Sequence, residues 1–211
     1  MGHRRETLGT SAADTQDQEG TLDSGANMIE SLATSGARVR PLHSAEQIRE
    51  RVRELGLEIA RDYQGRCPVM VGVLKAACAF HADLVRAIPI EVEVDFLSVS
   101  SYGAQQVSSG HARLLADLRG PIEGRHVVLC EAVVDSGRSV SMLLELLNSR
   151  KPATLQVATL LDKRPCREIE VPLGYTGWTA GAEFLVGYGL DAAERYRNLP
   201  YVGVLEEAPD S

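Results

Sequence analysis

The sequence predicts an α/β fold with a substantially parallel sheet covered by helices on both faces, and two observations predict it. First, short apolar runs of buried-strand type alternate with stretches whose apolar residues recur at helical spacing. Second, 211 residues with 44% hydrophobic and 24% charged side chains are enough for one sizeable core. With only three Phe and one Trp, that core must be aliphatic.

Residues 1–38 are rich in Gly, Ser, Thr, Ala, Asp and Gln and nearly free of large apolar side chains. Such a segment cannot offset the entropy of ordering, so it reads as a disordered extension ahead of one domain spanning 39–211. Its acids Glu6, Asp14, Asp17, Glu19 and Asp23 argue against an organellar presequence. Order is expected from Ser44, which with Gln47 forms a capping-box start to a helix whose core face is Ile48, Val52, Leu55 and Ile59. Pro68 to Leu74 reads as a buried strand, and Phe80, Leu84 and Ala87 mark a helix ending before Pro89. In Glu91 to Phe96 the period drops to two, giving a half-buried strand with one apolar and one acidic face. Val127 to Cys130 is a further buried strand, Val140, Leu143, Leu144 and Leu147 mark a helix, and Leu155 to Leu161 is a third buried strand. The resulting order is β-α-β-β-α-β, without internal repeats.

Charge and cysteine usage narrow the function classes. The 22 Lys+Arg against 29 Asp+Glu give a net charge of −7, with no long basic run, which argues against nucleic-acid binding. No run of about 18 apolar residues predicts a membrane span, and the first residues lack the apolar block of a secretory signal. Cys67, Cys78, Cys130 and Cys166 lack CxxC spacing, and Cys78 and Cys130 lie among apolar neighbours as reduced core thiols do, so a cytoplasmic location is expected. His81 and His126 show no metal-ligand spacing.

Ligands of such sheets bind beyond the carboxyl ends of the strands, so the residues after each buried run carry the chemistry. The sharpest string is Val127 to Ser139, where a strand ends on acids and turns through Asp135-Ser136-Gly137-Arg138-Ser139 into a helix. Unpaired N–H groups at a helix start suit a phosphate, Gly137 permits close approach, and Ser136 and Ser139 add hydroxyl donors. The Walker pattern is absent. In an isolated Asp-Ser-Gly, Asp135 reads first as a helix N-cap, a reading that the whole strand-acid-loop-helix string reverses. Lys75 after the first buried run reads equally as solvated charge, while taken alone Lys163-Arg164 after the last reads first as surface charge and Phe184 as core.

Val127 to Ser139 resembles the phosphoribosyl-pyrophosphate (PRPP) signature of type I phosphoribosyltransferases, in which apolar residues lead to paired acids, two apolar residues and Asp-Ser/Thr-Gly. The segments VGVLKAACAFHADLVRAI, VEVDFLSVSSYG, TLLDKRPCR and FLVGYGLDAAERYRNLPYVGVL are similar to hypoxanthine-guanine phosphoribosyltransferases. The resemblance runs from about Pro41 to Leu205. It implies the type I phosphoribosyltransferase fold, a mainly parallel twisted sheet flanked by helices with a small hood region. The implied reaction is purine salvage, hypoxanthine or guanine plus PRPP giving IMP or GMP plus pyrophosphate with Mg²⁺, in a homodimer or homotetramer.

The same resemblance implies roles residue by residue. Asp135 to Ser139, with Arg138 among them, would hold the 5′-phosphate. Glu131 would bind the ribose hydroxyls, and Asp135 would exchange a proton with purine N7 and stabilise positive charge at C1′. Lys75 and Arg197 would contact pyrophosphate. Lys163 would donate to the 6-oxo group, which disfavours adenine. Phe184 would stack on the purine with the Leu185 backbone at its far edge. Asp191 resembles the Mg²⁺ carboxylate, with Glu131 the second candidate ligand. Ser101 and Tyr102, in a polar Gly-flanked stretch, would close over the site.

Two positions depart from the pattern. Ala132 stands where a second acid is usual, an expected loss of about 1.5–3 kcal/mol in PRPP binding if one charge-assisted hydrogen bond is missing. Ala76 stands where Gly is usual, and a side chain there is expected to disturb an unusual backbone geometry or crowd the pyrophosphate. These departures motivate an alternative, a catalytically impaired paralogue that binds nucleotide or PRPP, and behind it a regulatory RNA-binding homologue that the acidic charge opposes.

Overall fold

The computed structural model describes residues 38–100 and 113–206. The proposed extension thus lies, up to residue 37, outside the described residues, as do Ser101 and Tyr102.

The chain opens with strand β1 (Arg38–His43), helix α1 (Ala45–Asp62), β2 (Val69–Leu74), α2 (Cys78–Ala87), β3 (Glu93–Ser100) and β4 (Arg113–Ala116). It continues with β5 (His126–Val134), α3 (Arg138–Asn148), β6 (Thr154–Asp162), a 3-10 turn (Arg164–Cys166), β7 (Tyr175–Thr179), β8 (Leu185–Val186) and β9 (Val202–Glu206). The main sheet has the order β4-β3-β2-β5-β6-β7, and only the β3–β4 pairing is antiparallel. A second sheet, β1-β9-β8, is antiparallel and joins the two ends of the described chain, where the resemblance implies a hood.

Two-sided burial follows from period-two alternation in the parallel strands. Met70, Val128, Cys130, Ala158 and Leu160 face α1 and α2, where they pack with Ile48, Leu55, Ile59, Phe80 and Leu84. The intervening Val69, Val71, Val127, Leu129 and Val157 face α3 and meet Val140, Leu143 and Leu147. Helix α1 starts as its sequence predicts: Gln47 N–H donates to Ser44 Oγ, and Ser44 N–H donates to Gln47 Oε1. The expected β-α-β-β-α-β order is present as β2-α2-β3-β5-α3-β6.

Several expectations need correction. Order does not begin at Ser44, because β1 precedes it and pairs with β9; Pro41, which lacks a donor, is tolerated on this edge strand. The apolar face expected for Glu91 to Phe96 is largely open. Val94 and Phe96 are 48% and 39% exposed, although the Phe96 ring meets His81 of α2 edge-on, while Leu97 on the other face is fully buried. Asp95 accepts hydrogen bonds from the N–H groups of Phe96, Arg119 and Gly120, which ties the segment before β5 to β3. Cys78 is not a core thiol: it opens α2 on the outward side and is exposed, whereas Cys130 is buried, and all four cysteines are free.

Candidate active site

The connections from β2 and β5 leave in opposite directions, and the crevice beyond the carboxyl ends of these adjacent strands is where an open α/β sheet binds ligands. A cavity of about 430 Å³ opens there. Its walls include Lys75, Glu131, Asp135, Ser136, Gly137, Ser139, Asp191 and Arg197, so residues distant in sequence are brought to one place. Arg138, Lys163, Phe184 and Leu185 are not among the walls.

The phosphate-suited loop is held by its own backbone geometry. Helix α3 is capped by Gly137 with φ +86° and no side-chain cap, so Asp135 is not the N-cap. A Cβ on Gly137 would lie 2.2 Å from the carbonyl oxygen of Ile169, so close packing as well as the left-handed φ demands glycine. Ser136 C=O accepts from the N–H groups of both Glu168 and Ile169 at 2.9 Å, stapling the loop to the segment after β6. Ser136 Oγ accepts from Arg138 N–H at 3.4 Å, and the Arg138 side chain pairs with Glu168 on the surface.

Lys163 follows β6 and, at 7% exposure, is not surface charge. Its Nζ lies 3.3 Å from Asp135 Oδ2, joining it to the cavity wall. The neighbouring Asp135 carboxylate raises the Cys166 thiol pKa. Phe184 is 56% exposed and so is not core, whereas Leu185 is buried in β8.

On the opposite wall, Lys75 follows a cis Leu74–Lys75 peptide and pairs with Glu194 at 3.1 Å. Arg197 donates to Gly189 C=O at 2.8 Å and pairs with Asp191 at 2.8 Å and Glu194 at 3.2 Å. Glu194 thus holds both cations. Hydrogen bonds from Lys75 first, then Arg197, keep its carboxyl below the usual range. Gly189, at φ +97°, is required for contact, since its Cβ would stand 2.1 Å from Ala76 C=O. Ala76 itself packs partly buried against the core.

Glu131 is buried, and its hydrogen bond comes from the next residue, Ala132 N–H, at 3.1 Å. Burial pushes its pKa up to about 8. Ala132 is 1% exposed within the core beside α1 and α2, and it is absent from the cavity wall. The alternation of β5 therefore aims Glu131 and Ala132 to opposite sides. Among the described residues no group of three or more His, Cys, Asp and Glu is arranged for a metal. Asp191 and Glu131 do line one cavity, a sparse set of carboxylates that suits a hard cation taking most of its oxygens from substrate and water.

Sequence reasoning missed Asp162, Arg167 and Glu194. Asp162 and Arg167 form an ion pair with side chains only 2% and 3% exposed. The available signal was their presence in the segments that carry the resemblance, Asp162 and Arg167 in TLLDKRPCR and Glu194 in FLVGYGLDAAERYRNLPYVGVL.

The family model described as "Phosphoribosyl transferase domain" matches residues 40–192, and the chain belongs to that family. Its relatives are more particular. It is 46% identical over 167 residues to the hypoxanthine-guanine phosphoribosyltransferase of Bacillus subtilis, covering 79% of this chain and 93% of the relative. It is also 46% identical over 170 residues to the enzyme of the same name from Dictyostelium discoideum, covering 79% and 94%. A bifunctional protein TilS/HprT of Listeria monocytogenes is 47% identical over 165 residues, but the chain spans only about a quarter of it (26%) and the match covers 78% of this chain. Among solved structures, a hypoxanthine phosphoribosyltransferase from Staphylococcus aureus superposes with TM-score 0.75 at 40% identity, covering 79% of this chain and 91% of that one. Members of the family generally work with a divalent metal. Among the described residues no helix is long and apolar enough to cross a membrane.

The buried Glu131 makes a pH prediction. Its native pKa of about 8 lies above the ordinary value of 4.5, so the native state binds the extra proton between them. Stability therefore falls as pH rises from about 4.5 to about 8. Glu131→Gln should abolish this slope, so its stability relative to the parent increases with pH across that window in urea titrations at pH 5, 6.5 and 8. A pH-independent difference would contradict a raised pKa.

Proposed function

We propose that this chain transfers the phosphoribosyl group of PRPP to hypoxanthine or guanine, releasing pyrophosphate and giving IMP or GMP, in the cytoplasm and with Mg²⁺. The observation that carries the reading is the Asp135–Lys163 pair at the edge of a cavity bounded on its other side by Lys75 and Arg197. The identities to hypoxanthine-guanine phosphoribosyltransferases support the same reaction.

Each wall has a task in this reading. The loop Ser136 to Ser139 binds the 5′-phosphate through N–H groups at the start of α3, where the helix dipole favours an anion. The Lys163 ammonium donates to the purine 6-oxo group, and Asp135 takes the proton from N7 as N9 bonds to C1′. The negative charge of Asp135 also stabilises the cationic character of C1′ as the bond to pyrophosphate breaks. Lys75 and Arg197 receive the departing pyrophosphate after leaving Glu194. Phe184 stacks on the purine beside Leu185. Asp191 and Glu131 would hold Mg²⁺, which would supply neutralisation of pyrophosphate charge. The protein assembles as a homodimer or homotetramer. Because Ala132 faces the core, its lack of a carboxylate deprives the cavity of no wall residue, which favours an active enzyme over a silent paralogue.

A spectrophotometric assay with PRPP and Mg²⁺ should show turnover of hypoxanthine or guanine and none of adenine; no turnover of any 6-oxopurine would refute the proposal. Asp135→Asn should lower kcat by about a hundredfold or more, as loss of a general acid–base group does, with GMP affinity changed far less. Lys163→Ala should instead raise the KM for base and narrow the gap between IMP and AMP binding in calorimetry. For Glu194→Gln the affinity for pyrophosphate should rise by roughly two- to fivefold, because an exposed competing charge is removed; weaker pyrophosphate binding would show that Glu194 helps the anion instead.

A further inference from the structure

Arg167 lies outside the cavity wall and no role in the proposed reaction has been given to it, yet its side chain is 3% exposed at the junction of the two strand ends that carry the chemistry. A guanidinium so deeply buried needs hydrogen-bond partners, and its Nε and Nη2 have them. Its Nη2 pairs with Asp162, the last residue of β6, and donates to Val134 C=O, the last residue of β5, at 3.3 Å; its Nε donates to Asp135 C=O at 3.1 Å. Asp162 is 2% exposed and is also bound by Arg164 Nε at 2.5 Å. The planar fork thus ties the peptide of Asp135 to the residue just before Lys163. Its Cδ additionally packs where a Cβ on Gly137 would come within 3.1 Å.

We infer that Arg167, anchored by Asp162, is a positioning residue that sets the spacing of Asp135 from Lys163, and with it the simultaneous fit of N7 and the 6-oxo group of the base. The inference rests on the proposed reaction for its functional half only. A guanidinium is needed because its fixed fork reaches a carboxylate and two carbonyls at once, whereas an ammonium at the end of a flexible stem cannot span the same set. Lys75 and Arg197 on the far wall do not touch Arg167, so loss of the fork should disturb base chemistry more than pyrophosphate contacts.

The test compares Arg167→Lys and Asp162→Asn with the parent in two measurements. Amide hydrogen exchange without any substrate reads the loop directly. In Arg167→Lys the amides of Lys163, Glu168 and Ile169, which bond the carbonyls of Val134 and Ser136 and so hold the loop, should exchange about ten- to a hundredfold faster, the loss expected for hydrogen bonds from a charged group, while those of α1 and β2 are unchanged. Asp162→Asn, which keeps the fork on both carbonyls, should show a smaller effect of the same sign. Steady-state kinetics with hypoxanthine should show kcat reduced by a similar factor in Arg167→Lys with the KM for PRPP little altered. Unchanged loop exchange overturns the inference, as does faster exchange throughout the chain with a lowered denaturation midpoint, which marks a merely structural role. Faster loop exchange with unchanged kcat also overturns it. If the parent itself turns over no base while the loop exchange responds as expected, the proposed reaction fails and the role of Arg167 in holding the Asp135 loop is supported.

Discussion

The parallel register of β5 against β6 is the constraint on which the site depends. Val134 lies opposite Asp162, so the next residues of each strand, Asp135 and Lys163, emerge side by side. The bond from Lys163 N–H to Val134 C=O at 2.9 Å extends the pairing one step past the strands. A slip of one residue would turn Val127, Leu129 and Val157 from the α3 face to the α1/α2 face, so the two-sided core fixes the register and thereby the functional pair. The site's precision is inherited from aliphatic packing on rigid elements.

Charge is managed by internal pairing. The cavity gathers cations suited to a poly-anion in a chain whose net charge is −7. Glu194 bridges Lys75 and Arg197, and Asp135 holds Lys163, so the ligand-free site leaves these cations partnered. Exposed pairs such as Lys75–Glu194 contribute little stability and are cheap to exchange for a substrate anion. The Asp162–Arg167 pair is of the opposite kind, since breaking one partner would strand a buried charge. One side of the site is built to re-pair and the other to stay fixed.

What the sequence made legible follows from the range of the interactions. Helix α1 could be read in full, because Ser44, Gln47 and the Ile48-Val52-Leu55-Ile59 face are local signals. The buried runs in β2, β5 and β6 were equally plain, and so was the switch from strand to loop to helix at Asp135-Ser136-Gly137. Strands β1 and β9 were not, because they pair across the length of the chain: Arg38 pairs with Glu206, and nothing in either segment announces the other, while β8 has only two residues. The face of β3 was misjudged because alternation tells which residues share a side but not whether a helix reaches far enough to cover Val94 and Phe96. Lys75, Lys163 and Asp191 were found through the family's motifs. The Glu194 bridge and the Arg167 fork depend on side-chain packing between segments and have no periodic signature. Gly137 was valued for approach to a phosphate, whereas its closest neighbour is the Ile169 carbonyl.

The central claim is that Asp135 and Lys163, set side by side by the β5–β6 register, together recognise a 6-oxopurine. A crystal structure of the chain with IMP or GMP tests it most directly. The account predicts the Asp135 carboxylate within hydrogen-bond distance of N7, the Lys163 ammonium on the 6-oxo oxygen and the 5′-phosphate on the N–H groups of Ser136 to Ser139. A nucleotide bound with its base away from both side chains would contradict it.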